Sequence, residues 1–180
     1  RPRIPTTNEC YEILEETGTL PHIKEHAKTV TCVAQEIAER LNEAGRKVDV
    51  ELIVAAALLH DATKTRSLKT GEDHAETGAD LLRQKGYFEI GEIVRQHVRL
   101  DDAPSDETIT AAEIVNYADK RVIDRDVVGL KERREYIFRR YAGHTIAAAE
   151  LEKIWSHTEK IETKIFAAMP YGPEKLAEKI

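Results

Sequence analysis

The 180 residues carry 41% hydrophobic and 33% charged side chains, enough apolar material for one core and too much for a disordered or low-complexity chain. No apolar run approaches the roughly 20 residues that span a bilayer; the longest covers 52–59, so no membrane association is expected. A net charge of −6 does not draw phosphate backbones from a distance, which argues against nucleic-acid partners, while small anionic substrates remain open if a cation or a few Lys and Arg residues focus charge in a pocket.

The opening residues, from Arg1, do not read as a signal leader, and an upstream segment is left open. Cys10 and Cys32 form no CxxC motif and no disulfide framework, so a reducing, cytoplasmic location is expected. Strand patterning is nearly absent, and spacings of three and four dominate. A short first helix is expected after Thr6, which stands three residues before Glu9 as in a capping box. Gly18 closes it, and Pro21 suits the first turn of the next helix. In that helix Ile23, His26, Ala27, Val30, Val33, Ala34, Ile37, Ala38 and Leu41 share one face, and Gly45 ends it. Asp49 caps a helix over 50–59 that is apolar nearly all round and ends in His60-Asp61.

Residues 62–72 read as a polar loop, a plausible lid, with Lys64, Arg66, Lys69 and Gly71. Asp73 is the next N-cap, with Glu76 three residues on, which puts His74 in a first turn. A helix over 88–98 carries Ile90, Ile93, Val94 and His97 on one face. After a turn around Pro104, a helix over 106–122 turns Ile109, Ala112, Val115, Ala118, Asp119 and Val122 inward. Two more helices are expected over 130–141 and 145–168, and Pro170 and Pro173 then break the chain before a short tail. The expected fold is all-α: a compact helical bundle over 1–125, with helices of 126–180 packed on the same domain as a C-terminal extension.

His26, His60, Asp61, His97 and Asp119 sit on faces that should be buried. An isolated buried carboxylate is costly unless it is paired or bound to a metal, so these positions conflict with an ordinary core and mark a functional site. Imidazole and carboxylate together suit Fe, Mn, Zn, Ni or Co better than Ca. A His-Asp dipeptide alone says little; the order of inward His, His-Asp, early His, helix-ending His and inward Asp says more.

The stretches EHAKTVTCVAQEIAERL (25–41), AAALLHDATK (55–64), DHAETGADLL (73–82), IVRQHV (93–98) and IVNYADKRV (114–122) resemble, in order and spacing, the HD-domain metal-dependent phosphohydrolases, in particular the small HDIG-type proteins. The resemblance covers about residues 20–125. It implies an all-α HD fold around one or two divalent ions (Fe, Mn, Zn, Ni, Co or Mg), with His26, His60, Asp61 and Asp119 as ligands. It assigns His74 and His97 to the extra histidines of binuclear members, whose HD aspartate bridges the ions, and Lys64 to the lysine of HDxxK. The tetrapeptide here is HDAT (60–63) rather than HDIG, there is no HD-GYP signature, and the only Glu-Asp, at 72–73, abuts His74, which sets aside (p)ppGpp hydrolysis.

The implied activity is hydrolysis of a phosphate ester or anhydride of a nucleotide-type small molecule. A divalent ion brings water toward neutrality in pKa and supplies hydroxide for attack at phosphorus. Asp61 and Lys64 are the expected catalytic residues, Lys64 neutralising transition-state charge, and Arg66, Lys69 and Arg99 are expected to bind more distant phosphates. The alternative is a non-catalytic HD module that binds metal and nucleotide, which a closed site would favour; an iron site with oxidative chemistry is a third. His22, one turn before His26, is assigned to the surface, as are His144 and His157. Residues 131–135 with Arg139 and Arg140 are assigned to a solvated face. Trp155 with Ile154, Ile161 and Ile165 forms a stripe assigned to core packing, with a homodimer face as the lesser reading.

Overall fold

The computed structural model describes residues 1–141 and 147–180. Its described residues form nine α-helices, α1 (Thr7–Glu16), α2 (Pro21–Glu43), α3 (Val50–Leu59), α4 (Lys64–Thr70), α5 (His74–Gln84), α6 (Phe88–Arg95), α7 (Ala111–Lys120), α8 (Leu130–Tyr141) and α9 (Ala148–Ala168), with a 3-10 helix over Pro173–Lys179. A two-residue hairpin, β1 (Val122–Ile123) and β2 (Asp126–Val127), pairs Val122 with Val127 and Ile123 with Asp126 in antiparallel register. The expectation of an all-α fold stands, and this ladder is the one addition to it.

Local chemistry sets the helix ends. Thr6 and Glu9 form the reciprocal capping box that opens α1, and Thr110 with Glu113 forms a second one that opens α7. That second box explains why α7 starts at Ala111 rather than near 106: the Thr110 hydroxyl and the Glu113 carboxylate satisfy the first free amides there. Asp49 and Asp73 cap α3 and α5 with their side chains. The stretch expected to be a loop at 62–72 instead folds into α4. Its composition, KTRSLKT, contains no helix breaker before Gly71, which takes φ +74 and closes the helix in the left-handed region.

The core runs through the bundle. Val30, Val33, Ala34, Ile37 and Leu41 of α2 meet Ile53, Ala56, Ala57 and Leu59 of α3 and Ile114, Val115 and Ala118 of α7, all buried. Ile161 and Ile165 of α9 and Leu176 of the terminal turn belong to the same cluster. Trp155 is also buried, so of the α9 stripe Trp155, Ile161 and Ile165 pack within the chain, while Ile154 is half-buried. Helices α5 and α6 approach closely at Gly91, where a Cβ would lie 3.1 Å from the Ala79 carbonyl oxygen. Together these two helices present His74 and His97 to the same point.

Candidate metal centre

The polar exceptions in this core converge. Fully buried His60 ends α3, and Asp61 follows it at 3% exposure; His97 lies just past α6 at 1%, and Asp119 near the end of α7 at 8%. His26, on α2, and His74, at the start of α5, are partly covered. His26 Nε2 lies 2.9 Å from Asp119 Oδ1 and 3.8 Å from Asp61 Oδ2. His60 Nε2 lies 3.3 Å from both Asp61 Oδ2 and Asp119 Oδ1. On the other oxygen of Asp61, Oδ1, stand His74 Nε2 at 3.3 Å and His97 Nε2 at 3.4 Å, with 3.1 Å between the two ring nitrogens.

Backbone carbonyls orient three of the four rings. His60 Nδ1 meets Ala57 O at 2.6 Å, His97 Nδ1 meets Val94 O at 2.7 Å, and His26 Nδ1 meets Asp124 O at 2.8 Å. Each Nδ1–H therefore donates to a main-chain oxygen, which leaves Nε2 as the free electron pair aimed at the carboxylates. The β1–β2 hairpin has a structural purpose here: Asp124, at φ +52 in its turn, offers the carbonyl to His26, and Thr29 Oγ1 donates to Arg125 O at 3.0 Å. Thr63 Oγ1 donates to His74 O and accepts from Thr77 Oγ1, both at 2.9 Å, fastening α5 beside the His-Asp pair.

Lone pairs facing carboxylate oxygens repel unless a proton or a cation lies between them. His60 Nε2 is buried and makes no hydrogen bond despite its two oxygen neighbours. Among the described residues, two groups have the reach of a metal site: His26, His60 and Asp119, and His60, Asp61 and His97. Orphaned nitrogen, converging oxygens and fixed tautomers fit a divalent ion with N/O ligands. Asp61 turns Oδ2 toward His26 and His60 and Oδ1 toward His74 and His97.

Without an ion, a proton takes that role. Burial opposes a charge on His60, but Asp61 and Asp119 outweigh it and push the ring up to about 10. Burial likewise opposes ionisation of Asp61 and Asp119. His60 and Lys64 hold the first well below the usual carboxylate range, and the contact with His26 and the nearby charge of His60 do the same for the second. Burial pushes His97 down to about 4, so this ring stays neutral.

Lys64 opens α4, its Nζ 3.9 Å from Asp61 Oδ2. It lines a cavity of about 270 Å³ above the cluster, along with Leu68 one turn on. Arg66 and Lys69 lie off that helix face. Arg66 pairs with Glu72 at 2.9 Å and is largely exposed, and Lys69 is exposed. Arg99 pairs with Glu150 at the start of α9. None of these three, expected to bind distant phosphates, lines the cavity. His22, assigned to the surface, is exposed and still lines the cavity rim; His144 lies outside the described residues.

Two buried or half-buried cations were missed. Lys120, 3% exposed, donates to His97 O at 3.0 Å and so holds the segment that bears His97; burial lowers its pKa to about 8. Arg133 of α8 was read as part of a solvated run, yet its Nη2 reaches within 3.9 Å of Asp119 Oδ2. The signals were Lys120 directly following the inward Asp119 and, for Arg133, its one-turn spacing to Tyr136.

A family model for the HD domain matches residues 23–124, more than half of the chain. Over 96 residues the chain is 34% identical to a tRNA (cytidine(56)-2′-O)-methyltransferase of Thermoplasma volcanium, and over 78 residues it is 35% identical to an uncharacterized protein of Methanocaldococcus jannaschii. The matches take in 53% and 43% of this chain but only 26% and 45% of those relatives. The crystal structure of a predicted HD superfamily hydrolase from an uncultured Thermotogales bacterium superimposes with a TM-score of 0.51 at 24% identity, covering 92% of this chain and 94% of that one, and so shares the fold. With its His and Asp residues gathered within the matched segment, the protein belongs to the HD-domain family.

Proposed function

We propose that the protein is a metal-dependent phosphohydrolase acting on a phosphate ester or anhydride of a nucleotide-type substrate. One observation carries this reading: imidazole Nε2 atoms, their Nδ1 atoms committed to backbone carbonyls, converge with two ionised carboxylates in a buried cluster that opens into a cavity. His26, His60, Asp61 and Asp119 would hold one ion, and His74 and His97, sharing Asp61, a second. A divalent ion there supplies Lewis acidity, lowering the pKa of water and neutralising charge on phosphoryl oxygens.

The chain's own groups do the rest. The backbone contacts of His26, His60 and His97 keep those rings from rotating, so the donor set is preorganised. Lys64 stands on the cavity side of Asp61, where a compact ammonium offsets the negative charge that gathers on a phosphoryl group in the transition state. Lys120 and Asn116, which donates to Gln96 O at 2.8 Å, hold the segment bearing His97. The cavity leaves room beside an ion for water and substrate, as an enzyme requires, where a closed site would have favoured the non-catalytic module.

The test is a phosphate-release screen with Mn, Fe(II), Co and Mg over nucleotides, cyclic nucleotides and dinucleoside polyphosphates. Metal-dependent release from at least one class, lost in Asp61→Ala, is expected. No release under any condition, from protein that retains its metal, contradicts the enzyme reading.

A further inference from the structure

The cavity has a second wall that the family-matched segment does not supply. Helices α8 and α9 provide it, through Arg133, Tyr136, Arg140, Ile154 and Trp155 among others. Helix α8, like α4, has no fully buried residue; half-buried side chains such as Leu130 rest it against the core. Arg133, Tyr136, Ile137 and Arg140 follow at spacings of three and four, one face of the helix, and all four line the cavity. In a chain of net charge −6, that face puts two guanidinium groups beside a metal centre.

Arg133 is the better placed of the two. Its side chain is 13% exposed, and its Nη2 stands 3.9 Å from Asp119 Oδ2, beyond hydrogen-bonding range. Its Nε is buried and makes no hydrogen bond. A covered guanidinium with an unused N–H, facing a cavity, is poised for an anion that brings its own oxygens. Lys64 holds the matching position over the other carboxylate, 3.9 Å from Asp61 Oδ2. The two cations thus flank the centre from opposite elements, α4 and α8. Farther out, the guanidinium carbons of Arg133 and Arg140 lie 5.4 and 5.8 Å from the centre of the Tyr136 ring, and Arg140 Nη1 donates to its hydroxyl at 3.0 Å. That fixes an aromatic face beside the apolar surface of Ile154 and Trp155. The cavity, about 270 Å³, lies just below the roughly 300–1,000 Å³ typical of small-molecule sites.

We propose that Arg133 is a substrate-binding residue that clamps the phosphoryl oxygens opposite Lys64, and that Tyr136 with the Ile154–Trp155 surface holds the aromatic group of a phosphomonoester of mononucleotide size. The α8 face then sets specificity, while the matched helices set chemistry. This inference rests on the phosphohydrolase reading for its consequence in turnover, but its binding component stands apart from it.

Trp155 is the chain's single tryptophan, and it lines the cavity, so its emission reports occupancy directly. The protein as purified is titrated with orthophosphate and with a nucleoside 5′-phosphonate, neither of which is turned over. Arg133→Gln should weaken both about tenfold or more, the scale of a lost charge-assisted contact. Arg133→Lys should recover part of that loss, and Tyr136→Ala should weaken the phosphonate while sparing orthophosphate. Metal content and circular dichroism should be unchanged in all three, since α8 contributes no buried residue to the core. Equal affinity of Arg133→Gln and wild type for both probes overturns the clamp even if phosphatase activity is found, and so does a wild-type protein that binds neither probe. Binding that depends on Arg133 in a protein that hydrolyses nothing upholds the clamp and removes the enzyme reading alone.

Discussion

On the α2–α7 side of the cavity, the polar groups stand on or beside buried helices, and main-chain carbonyls at helix ends and in the hairpin turn hold three of the histidine rings. On the α8 side, the charged groups stand on a helix with no buried residue. The first arrangement fixes atoms to within a hydrogen bond and suits the coordination of an ion. The second leaves a helix face whose residues can change without disturbing the core, which suits the recognition of varying substrates. The difference teaches where a substitution should destroy chemistry and where it should only alter preference.

The comparison is broken most severely at Asp61. Asp61→Ala removes the carboxylate shared by both ligand groups, and phosphate release should fall by about 10³-fold or more, since several kcal/mol of transition-state stabilisation go with it. Retained activity in steady-state assays would sever the link between cluster and chemistry. Next in size, His97→Ala or His74→Ala should lower the bound metal by about one ion per chain while leaving the His26–His60–Asp119 group loaded. An unchanged ratio means a mononuclear centre.

A smaller effect tests the scaffold rather than the ligands. Gly91→Ala places a Cβ 3.1 Å from the Ala79 carbonyl, a backbone atom that cannot move away cheaply. It should cost about 1–3 kcal/mol, visible as a lower urea midpoint, whereas Lys131→Ala, at an exposed position of α8, should be near neutral.

Smaller again is the pH dependence of the metal-free protein. His60 is held up to about 10 against an ordinary value of 6.5, so its contribution to stability is complete below about pH 6.5 and is lost as pH rises toward 10. His97 is pushed down to about 4, so its contribution is complete above about 6.5 and is lost as pH falls through 4. In EDTA the melting temperature should therefore peak near pH 6.5. Metal should flatten the alkaline arm, because a bound ion takes the place of the His60 proton. A melting temperature in EDTA that climbs from pH 6.5 to 9 contradicts the assignment.

The helical face of α2, the caps at Thr6, Asp49 and Asp73, and the inward placing of His26, His60, Asp61, His97 and Asp119 were legible because period and polarity conflict visibly at those positions. The bounds of α8, Leu130–Tyr141, agree with the helix expected over 130–141. The helix over Lys64–Thr70 was hidden because its seven residues bury nothing and so leave no apolar period to read. The hairpin was hidden because two-residue strands have no alternation, and its role, a carbonyl offered by Asp124 to a side chain 98 positions away, is a property of tertiary structure. Arg133 looked like one charge in a run. Its inward turn depends on how α8 lies over the α7 terminus, which spacing alone does not specify.

Metal analysis of the purified protein by inductively coupled plasma mass spectrometry, for wild type beside His60→Ala, tests the central claim most directly. The account predicts one to two equivalents of a transition metal in the wild type and substantial loss in the variant, with the helical circular dichroism spectrum preserved. A wild type that binds no divalent ion after reconstitution with Mn, Fe(II), Co, Ni or Zn, or a variant that keeps its full complement, would contradict it.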